Sequence, residues 1–317
     1  MMQVELHRHL DIALRPSTLF EFAQADGIVS SSTTLEQFKS DFILRTQMSD
    51  LSAVLDKFEL YARVLKTPAR IERMAFEGVE DCYHEGTNGA ELRFSPSFMC
   101  QFSGLSWDLV LDATETGMRL ALEAYPDIRA GLICIGSREQ GLDQVTRTSE
   151  FFLKHQSRFI GFDLAGHETV PNRNFESAFK PLIAAGANIT VHAGESTDAT
   201  AVWESIELLG AKRIGHGIRA IDDTTLVKYL AEKKILLEVC PTSNWLTRAA
   251  PEWKDQPLKK FLDAGVPVSI NTDDPSMFGL TLPHEFRVAR EKLGISEAEI
   301  NKCKEYAVQA SFLDLRH

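Results

Sequence analysis

The chain has 317 residues, 44% hydrophobic and 25% charged, with a formal net charge of -11. That is ordinary globular composition, and the length suits one large α/β domain or two smaller ones. No Lys/Arg cluster breaks the acidic balance, which argues against long nucleic acid and anionic membrane as partners, and no apolar run reaches the ~18 residues of a membrane helix. A small neutral or cationic ligand remains compatible, because a buried site sets its own field.

The five cysteines, Cys82, Cys100, Cys134, Cys240 and Cys303, form no CxxC pair. An odd count without a pairing motif fits a reducing compartment, and Cys134 and Cys240 sit in apolar runs that read as packing. No charged-then-apolar leader pattern opens the chain. The expectation is a soluble, cytoplasmic protein.

In chain order, strand-like runs fall at Gln3–His7, Gly89–Phe94, Arg129–Ile135, Phe159–Asp163, Asn188–His192, Arg213–His216, Ile235–Val239 and Val266–Asn271. Helical-period stretches lie between them, including Leu109–Ala124, Gln140–Lys154, Phe175–Ala184, Ala199–Leu209 and Thr224–Lys233. Gly186, Gly210 and Gly265 follow such stretches as helix stops do. The segment from Pro16 to Glu85 is helical in pattern and too long for one crossover helix, so it reads as an insertion over the mouth of the fold. Leu282–Arg316 reads as closing helices.

Repeated strand-then-helix order argues for a parallel sheet, and eight repeats suggest a closed (β/α)8 TIM barrel, one domain over residues 1–317. The polar residues support closure. His7, His9, His192, His216 and Asp273 fall at or just beyond C-terminal strand ends, the active-site face of such barrels. An open sheet would not easily bring its first, fifth, sixth and eighth strands to one point.

His7 and His9 are spaced i, i+2, so both rings leave the same face of an extended strand and suit one metal ion. Glu195 stands three positions beyond His192, after Ala-Gly, and can approach the same centre; burial would raise its pKa and fit it as a general acid. Asp273 and Asp274 are adjacent and point to different sides, which allows one to serve the metal or its water and the other a substrate. As bland alternatives, Glu195 could be a first-turn carboxylate on a helix dipole and the Asp pair turn chemistry before Pro275. His84, His155, His284 and His317 lack such context and read as surface or interfacial residues. His167, in Asp163-Leu164-Ala165-Gly166-His167-Glu168, lies at a strand end.

These motifs, in this order, resemble the adenosine deaminase family of the amidohydrolase superfamily. The resemblance covers nearly the whole chain. It is carried by Val4-Glu5-Leu6-His7-Arg8-His9-Leu10-Asp11, Glu91-Leu92-Arg93-Phe94-Ser95-Pro96, Gly161-Phe162-Asp163-Leu164-Ala165-Gly166, Thr190-Val191-His192-Ala193-Gly194-Glu195, Arg213-Ile214-Gly215-His216-Gly217 and Ser269-Ile270-Asn271-Thr272-Asp273-Asp274-Pro275. It implies one zinc ion per chain, held by His7, His9, His192 and Asp273. Glu195 would protonate purine N1 as water attacks C6, and His216 would orient that water. Asp274 would contact N7, the Gly166 backbone N3, and Asp11 the ribose 5′-hydroxyl. Leu55 and Phe58 resemble an apolar gate, or else pack an amphipathic helix.

Two positions depart from the family: Ile12, where Gly is usual, and His167, where a small polar or acidic residue is common. Both are expected near the sugar end of the substrate. The other zinc deaminase design, with H-x-E and P-C-x-x-C, is absent, since Pro241 is followed by Thr-Ser-Asn. The implied activity is zinc-dependent deamination of adenosine or 2′-deoxyadenosine, with a small purine nucleoside as the partner. Alternatives are deamination of free adenine or of a 5′-modified adenosine, which an apolar Ile12 would suit, hydrolysis of a different bond at the same metal, and a non-catalytic nucleoside-binding protein. Intact Glu195 and ligand candidates argue against the last. Nothing in the sequence assigns an oligomeric state.

Overall fold

Eight parallel strands pair in chain order: β1 (Val4–His9), β2 (Gly89–Phe94), β3 (Arg129–Ser137), β4 (Gly161–Ala165), β5 (Ile189–Ala193), β6 (Arg213–His216), β7 (Leu236–Val239) and β8 (Val268–Ile270). The computed structural model describes residues 1–315. All the strands except the start of β3 are buried throughout, as parallel strands covered on both faces are. The seam between β8 and β1 is closed just past the end of β8: the Asp273 amide donates to the His7 carbonyl at 2.9 Å, and the His9 amide donates to the Asp273 carbonyl at 3.0 Å. The result is a nearly closed (β/α)8 barrel.

The strand expectations hold with small shifts. The first strand runs on through His9, so both histidines lie within it, with a register shift between Glu5 and Arg8. The fourth starts later, at Gly161, and carries Asp163 inside rather than at its end. The helices Trp107–Ala124, Gly141–Lys154, Glu176–Ala184, Ala199–Glu207 and Thr224–Lys233 follow the expected stretches closely. Gly186, Gly210 and Gly265 have positive φ at the expected stops. The insertion after β1 is helical: Pro16–Ala25, Leu35–Phe42, Leu51–Leu55 and Glu59–Val64 precede the crossover helix Pro68–His84. Leu282–Leu293 and Glu297–Ala310 form the closing helices; Arg316 and His317 fall outside the described residues.

Strand residues divide by period two. One set, including Leu92, Phe162, Val191, Ile214 and Leu237, joins the core shared with the helices. The other set fills the barrel interior and includes several charged residues. Arg93 on β2 reaches Asp163 on β4 and Glu238 on β7, both at 2.8 Å, and Arg213 on β6 reaches Glu238 at 2.7 Å and Glu91 at 2.6 Å. These residues are no more than 1% exposed. Each charge is paired, without which burial would cost several kcal/mol per ion. This charged interior forms the platform beneath the site.

All five cysteines are free. Among the described residues no helix is long and apolar enough to cross a membrane.

Candidate metal centre and the cavity above it

His7, His9, His192, His216 and Asp273 converge at the C-terminal mouth of the barrel. The rings of His7 and His192 lie 4.5 Å apart between centroids, and those of His7 and His216 4.8 Å. Gly215 permits this approach, because a Cβ there would stand 3.0 Å from His7 Cε1 and 3.2 Å from the His192 Cα. His216 and Asp273 both adopt left-handed backbone, φ 58° and 62°, at the ends of their strands. Such conformations in residues other than glycine are uncommon and concentrate at functional sites.

Hydrogen bonds to the interior carboxylates set the imidazole tautomers. His7 Nδ1 is 2.9 Å from Glu238, and His192 Nδ1 is 3.1 Å from Asp163 Oδ1. A carboxylate partner accepts from Nδ1–H and so keeps the proton on Nδ1, leaving each Nε2 with a lone pair aimed at the mouth. Burial opposes the charge on Glu238 and Asp163, but the Arg93 and Arg213 guanidiniums around Glu238, and His192 and Arg93 around Asp163, hold both pKa values below the usual range. Burial also lowers the His192 pKa to about 4 and pushes that of His9 well down, so both rings are neutral. Asp273 stays ionised, the surrounding His7, His216 and His9 outweighing its burial.

The donors then face one another. His9 Nε2 is 3.3 Å from His192 Nε2, and Asp273 Oδ1 is 3.3 Å from His7 Nε2 and 3.4 Å from His9 Nε2. Among the described residues His7 Nε2 is buried without a hydrogen-bond partner. Lone pairs converging without protons between them repel unless a cation lies among them. A tetrahedral zinc with ligands at about 2.0–2.1 Å separates its donors by about 3.3–3.4 Å. His7, His9, His192 and Asp273 therefore fit such an ion. His216 Nε2 stands farther off, 3.8 Å from Asp273 Oδ2 and 3.7 Å from Glu195 Oε2, although its donor atom and those of His7, His192 and Asp273 all lie within 4.8 Å of one another.

Above this centre opens a cavity bordered by His9, Asp11, Gly166, His192, Glu195, His216, Asp273 and Asp274. Leu51, Val54, Leu55 and Phe58 from the insertion form its apolar roof. Ser95, Ser137 and Glu139 complete a polar wall near Asp11. Every substrate contact expected from the sequence thus borders this cavity. His7 lies beneath the floor, fully buried.

Two carboxyls are buried toward the cavity. Burial raises the Glu195 pKa, with Asp273 and Glu168 adding to the effect against His216 and Thr247. Thr247 Oγ1 donates to Glu195 Oε1 at 3.0 Å. Burial also raises the Asp274 pKa well above the carboxylate range, helped by the charges of Asp273, Asp11 and Glu195. Among the described residues Asp274 Oδ1 has no hydrogen-bond partner. His216 Nδ1 is fixed 2.9 Å from Asn244 Oδ1; burial works against its charged form, but Glu195 and Asp273 raise its pKa.

Ile12 corrects an expectation. It does not border the cavity; it is 1% exposed and packs in the core between barrel and helices. The chain turns just past His9, so Asp11 faces the cavity while Ile12 turns away. His167 is half-buried and also absent from the lining. Sequence reasoning missed Glu238, Asn244, Ser243, Thr247 and Glu168, which hold the site residues. Ser243 Oγ donates to Asp273 Oδ2 at 2.6 Å. Cys240-Pro241-Thr242-Ser243-Asn244, polar residues directly after a strand, was the available signal for two of these, Ser243 and Asn244.

Comparison with known proteins agrees with this geometry. The family model described as Adenosine deaminase matches residues 3–317. An adenosine deaminase of Shewanella loihica (strain ATCC BAA-1088 / PV-4) is 36% identical over 311 residues, covering 98% of this chain and 94% of that protein. The crystal structure of an adenine deaminase from Arthrobacter aurescens superposes with a TM-score of 0.91 at 26% identity, covering 99% of this chain and 94% of the other. An amidohydrolase from Burkhoderia ambifaria, solved with bound Zn, gives a TM-score of 0.90 at 25% identity, covering 99% and 86%.

Proposed function

The chain belongs to the adenosine deaminase family, and from that premise we propose that it hydrolytically deaminates an adenine nucleoside, adenosine or 2′-deoxyadenosine, to an inosine-type product and ammonia. The observation that carries this reading is the convergence of donor atoms of His7, His9, His192 and Asp273 directly beside two buried carboxyls of raised pKa, Glu195 and Asp274. A zinc ion held by those four donors would supply the Lewis acidity that makes a water nucleophilic near neutral pH.

The residues of the chain divide the remaining work. Glu195, whose pKa burial raises, is placed to give a proton to purine N1, and protonation there makes C6 a better electrophile. His216, anchored at Nδ1 by Asn244, turns Nε2 toward Asp273 and Glu195, where it orients the attacking water and takes up charge. Asp274, protonated, donates its unpartnered carboxyl group to N7. Asp11 and Gly166 hold the sugar end and the N3 edge, while Leu55 and Phe58 cover the bound base and exclude bulk water.

Charge supports a nucleoside over a nucleotide. Among the described residues the cavity lining contains no Lys or Arg, and it includes Asp11 and Glu139. A 5′-phosphate would find no cation there to compensate it. The lining also favours a nucleoside over the free base, since Ser95, Ser137, Asp11 and Glu139 would face no hydroxyls if adenine alone bound. The burial of Ile12 in the core removes the apolar sugar-end contact that pointed to a 5′-modified substrate.

The test is product identity. Zinc-loaded protein incubated with adenosine should release ammonia and inosine in equal amounts. Ammonia without inosine, or inosine formation unaffected by chelation, would count against the reading.

A further inference from the structure

Building on the role given to Glu195, we propose that Glu168 is a positioning residue that fixes the Glu195 carboxyl for proton transfer. Glu168 follows β4 and is 5% exposed. Its carboxylate accepts from three consecutive backbone amides: Glu195 at 3.1 Å, Ser196 at 2.9 Å and Thr197 at 3.0 Å. It also accepts from the Thr197 hydroxyl at 2.9 Å and the Ser196 hydroxyl at 3.4 Å. Successive amides turned toward one anion form a nest, whose geometry is set by the charge it surrounds.

This carboxylate does not serve the next helix. That helix begins at Ala199 and is already capped by Asp198, whose side chain accepts from Thr200. The donors of Glu168 belong instead to the turn that carries Glu195. Burying a carboxylate is costly, and its nearby opposite charge is Arg138, itself 1% exposed. Arg138 donates to Asn172 Oδ1 at 2.9 Å and to the carbonyl of His192. A buried cation thus holds the start of the segment His192–Thr197 and a buried anion holds its end. Gly194 between them has φ 68°, and a Cβ there would come within 2.8 Å of Val202 Cγ2. The segment has little freedom, so its backbone aims the Glu195 side chain at the cavity, where Thr247 and His216 meet its two oxygens. The negative charge of Glu168 also acts in the direction that keeps Glu195 protonated.

A role exercised through Glu195 differs measurably from a general contribution to folding. Glu168→Gln keeps the volume but places an amide NH2 against three N–H donors. In the native background it should lower kcat about 10- to 100-fold, part of the range a general acid contributes, with KM and metal content little changed. In a Glu195→Gln background the same substitution should cost less than about twofold, because residues acting as a unit are non-additive. An equal loss in both backgrounds, or no loss in the native one, overturns the proposal. Should Glu168→Gln not yield folded protein, Thr197→Val removes one donor from the same carboxylate and is read in the same way: a fall in kcat only where Glu195 is present supports the role, while equal loss or none overturns it. Native kcat in Glu195→Gln alone overturns the acid role of Glu195 itself, and with it this inference.

Discussion

Asp273 donates its backbone amide to the His7 carbonyl at 2.9 Å and sets its Oδ1 3.3 Å from the Nε2 of the same histidine. One residue therefore closes the barrel seam and presents a donor to the ion site. Its left-handed backbone, φ 62°, turns the side chain back over β1. Aspartate tolerates that conformation better than most side chains. Barrel closure and site assembly are thus one local event.

The ligand assignment makes a differential prediction. His192→Ala should lose both zinc and activity. His216→Ala should retain zinc and lose turnover, because its Nε2 stands 3.8 Å from the nearer Asp273 oxygen, outside the tighter cluster. Metal analysis after dialysis checks both; full zinc occupancy in His192→Ala would refute the ligand set.

Glu195→Gln should keep zinc and substrate binding and lose about 100- to 10,000-fold in kcat. The amide occupies the same space beside Thr247 but has no acidic proton. Steady-state kinetics decide it: a change confined to KM would make Glu195 a binding residue.

Asp274 should select purines through N7. Its Oδ1 is buried without a partner and its pKa is strongly raised, so it offers a proton to an acceptor. A 7-deaza analogue replaces N7 with C–H at nearly constant shape and leaves the donor unpaired, at about 1–3 kcal/mol. That corresponds to roughly 5- to 150-fold slower kcat/KM. Equal turnover of the parent and 7-deaza compounds would remove Asp274 from base recognition.

Much of this was legible in the sequence because it is local. The strand runs are continuous and apolar, the helix stops carry glycine, and the HxH, HAGE, GHG and TDDP groups sit where strands end. What escaped was non-local. Glu238 looks like one acid in an apolar run, and only closure of the barrel brings it to His7, Arg93 and Arg213. Glu168 is 27 residues from Glu195, and the spacing suggests nothing of their contact. Ile12 shows the opposite failure. Its neighbour Asp11 borders the cavity, but a turn at the strand end sends Ile12 into the core. Ile12→Gly should therefore destabilise the fold through lost packing rather than reorder 5′-substituted substrates.

Glu285 gives a pH signature. It is buried, accepts from Thr242, and burial raises its pKa to about 7. Between the unfolded value of 4.5 and about 7, the folded state binds more protons than the unfolded one. Its contribution to stability is thus full at low pH and falls as pH rises through that window, by roughly 3 kcal/mol at most. Glu285→Gln removes this fall, so its Tm relative to native should climb by several degrees between about pH 5 and about pH 8. A difference independent of pH would contradict this.

The most direct measurement is a substrate ranking on the zinc-loaded protein, following loss of the adenine chromophore with adenosine, 2′-deoxyadenosine, a 5′-thioether of adenosine, AMP and free adenine. A cavity whose lining, among the described residues, has no Lys or Arg and carries a polar wall beyond the base predicts the highest kcat/KM for the unmodified nucleosides, and far lower values for AMP and adenine. Preferred turnover of AMP or adenine, or ammonia from none of the five, would contradict the account.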